Sequence, residues 1–500
     1  MNPKLRDLER RSLESSRRLG HRKPVTRREF LGRRLLGGLG MALVPSLSTI
    51  IARHASAAPS CGGSLGGAGK IPFICFDLAG GANIAGGNVL VGDQAGQLGP
   101  LGVDGYVKLG IPTDMLPTDP AFVDQTLGLA FHTDSAMLRG IVQRAQATTL
   151  AQTNGVVVCA RSENDTQNNP HNPMYGIAAA GADGELLTLI GTDNTDSGGR
   201  SIAPMAMIDP AIRPTKIDRP SDATGLVDTG KLVNMLGQAD AGAVMSAVEQ
   251  ISALKLGTID EDQLIEDLVH CGYIQSASLV QTFGSPTALD PSNDPVLNQV
   301  ITPAEINSNG DLRKTASVMK LVLNGFAGAG TIELGGYDYH DSTRSTGERR
   351  DESAGQCIGA ILEYAALLNQ QVMIYVFSDG AVSSNGENDD SAQGRGKGIW
   401  KSDNASTSSV FMLAYNPPLL GPRPALTPQT VGNQIGYFRS NGSLETAATL
   451  VSNSVDRLAE AVVLNYLALH NDLASFDGAL PFNGLTPSQR AGLTAFEPIR

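Results

Sequence analysis

Two stretches of the chain are apolar on both faces of a strand, and they restrict the fold more than any other feature. One is Ile71-Pro72-Phe73-Ile74-Cys75-Phe76-Asp77-Leu78; the other is Gln371-Val372-Met373-Ile374-Tyr375-Val376-Phe377-Ser378-Asp379-Gly380. Strand side chains alternate between the two faces of a sheet, so such a strand must be covered on both sides. Gly155-Val156-Val157-Val158-Cys159-Ala160 and Ser409-Val410-Phe411-Met412-Leu413-Ala414-Tyr415 read as further buried strands. Helical spacing predicts helices over residues 134–152, 311–325, 349–370 and 444–473, with Cys357, Ile361, Ala365 and Leu368 on one face of the third. Strands alternating with long helices predict an α/β fold built on a doubly wound, mostly parallel sheet.

The organisation follows from where these patterns stop. Residues 1–57 are set apart as an export signal, and 58–70 form a Gly/Ser linker. Residues 71–191 and 311–475 carry the two parts of the core, and 476–500 form a tail. Residues 192–310 read as an inserted helical and loop region, with helical patterns over 239–256 and 260–283 and no catalytic spacing. The 57 glycines and 27 prolines cluster in connections, so long decorated loops are expected, among them 383–401 as a solvated hairpin or, alternatively, a lid.

Charge narrows the partners. The whole chain is at −12, but residues 1–57 hold 13 Lys and Arg against 4 Asp and Glu, leaving −21 on residues 58–500. A chain this acidic is not expected to grip nucleic acid or an anionic membrane through bulk charge. Within the basic leader, Thr26-Arg27-Arg28-Glu29-Phe30-Leu31-Gly32 fits a twin-arginine export signal, with Arg27, Arg28, Phe30 and Leu31 as its recognition residues. A weakly apolar stretch over 35–51 and small residues at Ala55-Ser56-Ala57 follow, as signal cleavage requires. The twin-arginine translocase is therefore an expected partner, the bacterial periplasm or exterior the expected location, and no membrane span is expected after cleavage. The five cysteines, Cys61, Cys75, Cys159, Cys271 and Cys357, show no metal spacing and read as structural.

The chemistry-bearing stretch is Gly335-Gly336-Tyr337-Asp338-Tyr339-His340, which follows the strand-like Thr331-Ile332-Glu333-Leu334. Asp338 and His340 are two apart on extended backbone and so point to one side, where a carboxylate and an imidazole can share a divalent cation. Such turns lie beyond the carboxyl ends of strands, where open α/β sheets bind ligands. Asp379 ends the second apolar run and joins the set as ligand or base; His171, in the polar loop 161–173, reads as solvated by default and is an outside ligand candidate. The glycines after the first strand, Gly80-Gly81-Ala82-Asn83, permit close backbone approach to a ligand. No Gly-x-Ser-x-Gly elbow is present, so a nucleophile triad is not expected.

In this order, the twin-arginine signal, Gly80-Gly81-Ala82-Asn83, Gly336-Tyr337-Asp338-Tyr339-His340 and Phe377-Ser378-Asp379-Gly380 resemble the exported domain-of-unknown-function family fifteen-oh-one, of the alkaline-phosphatase and sulfatase superfamily. The resemblance covers most of residues 70–470 on few, short motifs. It implies an alkaline-phosphatase-like sheet and a two-metal hydrolase clamping a phosphate or sulfate ester. The departures are specific. Asn83 stands where the family has Asp, Asp379 where it has Glu, and Gly398 and Ile399 fall on the positions of its later Asp-His pair. The expectation is accordingly one divalent ion (zinc, manganese, calcium or magnesium) on Asp338, His340 and Asp379, with Asn83 and His171 as further donors. Two functions remain open: a non-catalytic envelope binding or assembly protein with a degenerate metal site, or a metal-dependent hydrolase of a small anionic ester.

Overall fold

The computed structural model describes residues 69–162, 171–193, 203–226 and 286–500. The export motif at Arg27, Arg28, Phe30 and Leu31, the helices expected over 239–256 and 260–283, and Cys61 and Cys271 lie outside the described residues. The chain divides into two compact units, and every described residue belongs to the unit made of Ala55–Leu226 and Ser285–Arg500.

Twelve strands are described: β1 (Phe73–Ala79), β2 (Val123–Asp124), β3 (Phe131–His132), β4 (Thr153–Val158), β5 (Leu187–Gly191), β6 (Thr215–Lys216), β7 (Ala327–Gly335), β8 (Val372–Phe377), β9 (Val382–Asp389), β10 (Lys397–Asp403), β11 (Val410–Tyr415) and β12 (Gln434–Ile435). Eight of them form one mixed sheet in the order β12-β4-β11-β8-β1-β7-β5-β6. The strands with apolar runs are its centre: β1 pairs in parallel with β7 on one side and β8 on the other. Every residue of β1, β8 and β11 is buried. Burying each large side chain of β1, such as Phe73, Ile74 and Phe76, contributes roughly 1.5–3 kcal/mol, which is why these runs occupy the middle.

One strand runs against the others. β11 pairs antiparallel with both β8 and β4. The chain leaves β8 at its carboxyl end, makes the β9–β10 hairpin there, and re-enters the sheet from the same end. Residues 404–409 are too few for the dozen or more that a parallel crossover needs. The segment expected as a solvated hairpin over 383–401 is thus an ordered two-stranded unit, with Trp400 and Lys397 buried on its inner side.

Five helices concern the sheet and the site: α1 (Ala136–Arg144), α2 (Met174–Ala179), α3 (Gly310–Leu323), α4 (Ser345–Leu367) and α5 (Val455–Leu469). The expected helix over 134–152 is broken after Arg144. Ala145 is extended at φ −101 and ψ 137, and the next amide, Gln146, donates to Glu363 on α4 at 2.8 Å. The closing helix starts later than its apolar pattern suggests, because Ser454 is extended and its side chain accepts from the Arg457 amide as an N-cap. α1 lies so close to α4 that a Cβ at Gly140 would sit 2.1 Å from the Glu352 carbonyl oxygen, and one at Gly355 2.0 Å from that of Met137. Cys75, Cys159 and Cys357 are free and buried, as expected of structural cysteines.

Candidate metal centre

Three turns meet beyond the carboxyl ends of β1, β7 and β8. Gly80, just past β1, has φ +124, and a Cβ there would stand 2.7 Å from the Asp338 amide nitrogen. Only glycine lets the two turns approach this closely. The Gly80 amide in turn donates to Asp379 Oδ1 at 2.6 Å, and the Ala82 amide donates to Ser378 Oγ at 2.8 Å. The glycines after the first strand therefore bring backbone against backbone, a contact whose ligand is the protein itself.

On this platform Asp338 and His340 face the same way, as their spacing predicts. His340 Nε2 lies 2.8 Å from Asp338 Oδ1. A third donor joins them: Asp403, the last residue of β10, places Oδ1 3.5 Å from the same imidazole nitrogen. One ligand atom from each of the three lies within 4.8 Å of the others, the single such His/Cys/Asp/Glu group among the described residues. Donors bound at about 2.0–2.2 Å to one ion stand about 3.0–3.4 Å apart at octahedral to tetrahedral angles, so small side-chain rotations would seat a cation here. The side chains of Asp338, His340 and Asp403 are 56%, 37% and 50% exposed. An ion held by all three would keep positions open to solvent or to an external ligand.

The other expected ligands lie outside this group. Asp379 is 1% exposed, and its Oδ1 holds the Gly80 amide, so it ties the turn after β8 to the turn after β1. Asn83 is fully buried; its amide donates to Tyr339 Oη at 2.7 Å, and neither side-chain atom has a hydrogen-bond partner. His171 is buried, contrary to the solvated reading of its loop, with its ring stacked on Phe377 at 5.7 Å and 5° between planes. None of these three belongs to the group that gathers around His340. Asp389, an acidic neighbour on the hairpin, spends Oδ2 on the Arg344 amide.

Sequence reasoning missed Asp403. It follows the segment 397–400 where the resemblance puts a lost Asp-His pair, but nothing local marks it. β9 and β10 pair with register breaks between Gly398 and Trp400 and again between Trp400 and Ser402. Such bulges re-aim side chains and erase the alternation by which a strand residue is assigned a face.

Beneath the triad the support is polar and buried. Tyr339 points away from its exposed neighbours and is 1% exposed, its hydroxyl donating to Asp351 Oδ1 at 3.1 Å. Asp351 Oδ2 accepts from Asn88 Nδ2 at 2.7 Å, and Asn88 Oδ1 accepts from Ser135 Oγ at 2.9 Å. Burial, reinforced by Glu348, pushes the Asp351 carboxyl up to about 7 against the pull of Asn88, Arg344 and Tyr339. Further along α4, Glu348 takes Arg344 at 2.9 Å, Lys397 at 2.6 Å and Arg139 at 2.8 Å. Burial works against its charge, yet Arg344, Lys397 and Arg139 hold it down to about 2. Burial and Arg344 bring Lys397 down to about 8. Arg344 also lies 4.3 Å over the Trp400 ring. The inner strand of the hairpin is thus anchored at one end by buried charge, while its other end presents Asp403.

Comparison with known proteins finds no family model that matches the chain and no curated protein similar to it in sequence.

Proposed function

We propose that this is an exported divalent-cation-binding protein of the bacterial envelope, periplasmic or extracellular, whose centre captures an anionic group of a partner or small ligand without turning it over. The carrying observation is the placement of Asp403 beside Asp338 and His340, three accessible donors around one point at the carboxyl end of the sheet. One imidazole and two carboxylates suit zinc or manganese better than calcium, which takes six to eight oxygens, or magnesium, which keeps its waters. Capture without turnover is supported by the fate of the expected catalytic groups. Asp379 is buried on the Gly80 amide, and Asn83 offers a buried, neutral side chain in place of a carboxylate. The twin-arginine motif supports export of a folded, metal-loaded protein by that translocase, and the acidic mature chain disfavours nucleic acid as partner.

The second reading is a one-metal hydrolase of a phosphate or sulfate ester on an alkaline-phosphatase-like sheet. It is favoured by the open positions of the triad, where a bound ion would polarise an ester oxygen or a water. One preparation tests both. The mature protein is purified from the periplasm without chelator, its metal content measured, and p-nitrophenyl phosphate and sulfate offered as substrates. About one zinc or manganese ion per chain without turnover supports capture. Turnover that disappears with the metal replaces it with the hydrolase reading. Protein free of metal, and unable to take up either ion, defeats both.

A further inference from the structure

We infer that Tyr339 and Asp351 are the positioning pair of the cation centre, fixing the donor atoms of Asp338, His340 and Asp403 through contacts made entirely below the site. The inference rests on the cation reading above. Tyr339 stands between the two ligands of its turn, and the alternation that exposes Asp338 and His340 drives its ring into the core. Its hydroxyl is used twice. It accepts from the Asn83 amide at 2.7 Å and donates to Asp351 Oδ1 at 3.1 Å, which ties the turn to the loop after β1 and to α4. Its ring lies 6.3 Å from that of Trp400 on β10, the strand that ends in Asp403. Both arms of the triad therefore reach the same side chain, Asp338 and His340 by covalent adjacency and Asp403 through Trp400.

Asp351 keeps that hydroxyl in place. Its carboxylate is held from the far side by Asn88 Nδ2, whose Oδ1 is in turn held by Ser135 Oγ and the Met137 amide. Asn88 also donates to the Asn83 carbonyl at 2.8 Å, closing a ring of hydrogen bonds with Asn83, Tyr339 and Asp351. A closed, buried ring of this kind has little freedom to relax, so a turn hung from it holds its exposed residues at fixed spacing. Partners hydrogen-bonded directly to metal ligands are worth about 10–100-fold in metal affinity, and a pair acting through the turn that carries the ligands is expected at the lower end of that range.

Tyr337 supplies the control. It is equally buried and close by, its ring 5.9 Å from Tyr339, but its hydroxyl donates to the Arg350 carbonyl at 2.7 Å and makes no hydrogen bond to Asn83 or Asp351. The experiment uses full-length mature protein loaded with cobalt(II) or zinc, in wild type, Tyr339→Phe, Asp351→Asn and Tyr337→Phe. Affinity is measured by competition with a chelating dye, the cobalt absorption bands report ligand geometry, and thermal melts of the metal-free proteins report folding. Tyr339→Phe and Asp351→Asn should each bind at least about tenfold more weakly and shift the cobalt bands. Tyr337→Phe should lower the melting temperature comparably, keep the bands, and stay within about twofold of wild-type affinity. If Tyr339→Phe does not fold, Asp351→Asn carries the test alone. Unchanged affinity and bands in the folded variants, or an equal loss in Tyr337→Phe, overturns the inference while leaving the cation site standing. A wild type that binds neither ion defeats the cation reading itself.

Discussion

His340 and Asp403 come from different halves of the site, yet Nε2 of one lies 3.5 Å from Oδ1 of the other. The turn after β7 and the end of the β9–β10 hairpin are joined at this point by donors suited to one ion. Replacing either residue leaves two of the three protein ligands and should therefore disable the site. His340→Ala and Asp403→Asn should each weaken zinc binding by about 100-fold or more, the cost of losing one of three protein ligands. Titration calorimetry measures this, and wild-type affinity in Asp403→Asn would remove the residue from the ligand set.

The same junction predicts a mechanical effect. A cation bridging His340 and Asp403 pins the base of the hairpin Val382–Asp403, where Asp403 pairs with Val382, while its turn end is already held by Lys397 in the Glu348 cluster. Adding zinc or manganese to metal-free protein should slow amide exchange around residues 399–403 and reduce proteolytic cutting within the hairpin. Equal exchange with and without metal would show that the ion does not span the two segments.

Glu348 should be the most costly single carboxylate to remove. It is 4% exposed and answers Arg344, Lys397 and Arg139 together, so Glu348→Ala leaves buried cations without their common counter-ion. The expected loss is about 3–5 kcal/mol, read from urea unfolding. A change below about 1 kcal/mol would mean that Asp134 suffices for Lys397 and Arg139, and the Gly110 and Gly398 carbonyls for Arg344.

Asp351 gives stability an unusual pH slope. Its folded carboxyl is raised to about 7 from an ordinary value of 3.8, so between these limits the native state binds a proton that the unfolded chain does not. Its contribution is full below about pH 4 and is lost as pH rises toward 7, at up to about 1.4 kcal/mol per pH unit. The groups facing it are Asn88, Tyr339 and Tyr337, with Glu348 on its own helix and Arg344 at the N-cap of that helix. Glu348 acts in the opposite sense, being lowered, and its contribution is lost only below about pH 4.5. Wild type measured against Asp351→Asn at pH 5 and pH 7.5 isolates the effect: the advantage of wild type should shrink as pH rises. A constant difference would place the Asp351 titration outside this range.

Gly80 should tolerate no side chain. Its φ of +124, and the 2.7 Å that would separate a Cβ at this position from the Asp338 amide, make Gly80→Ala both strained and obstructed. The strained backbone alone costs about 1–3 kcal/mol, and displacement of Asp338 adds a loss of metal affinity. Thermal melts and zinc titration of this variant check both parts, and a stable, tightly binding Gly80→Ala would show that the turns have room to separate.

The sequence by itself determined the sheet. Runs apolar on both faces at β1, β8 and β11 can be satisfied only between covering layers, and that information is local to each run. It also determined that Asp338 and His340 face together, because alternation along one extended segment is equally local. Only the tertiary structure decided the rest. Asp379 has the right charge at the right strand end, but the Gly80 amide claims its oxygen. His171, in a polar loop, is carried under the surface onto Phe377. Asp403 reaches the site because a hairpin with two register breaks returns along the turn that bears His340, and those breaks hide from the sequence which way its side chain points. A strand's faces follow from neighbours along the chain, whereas a ligand set depends on where separate loops cross in space.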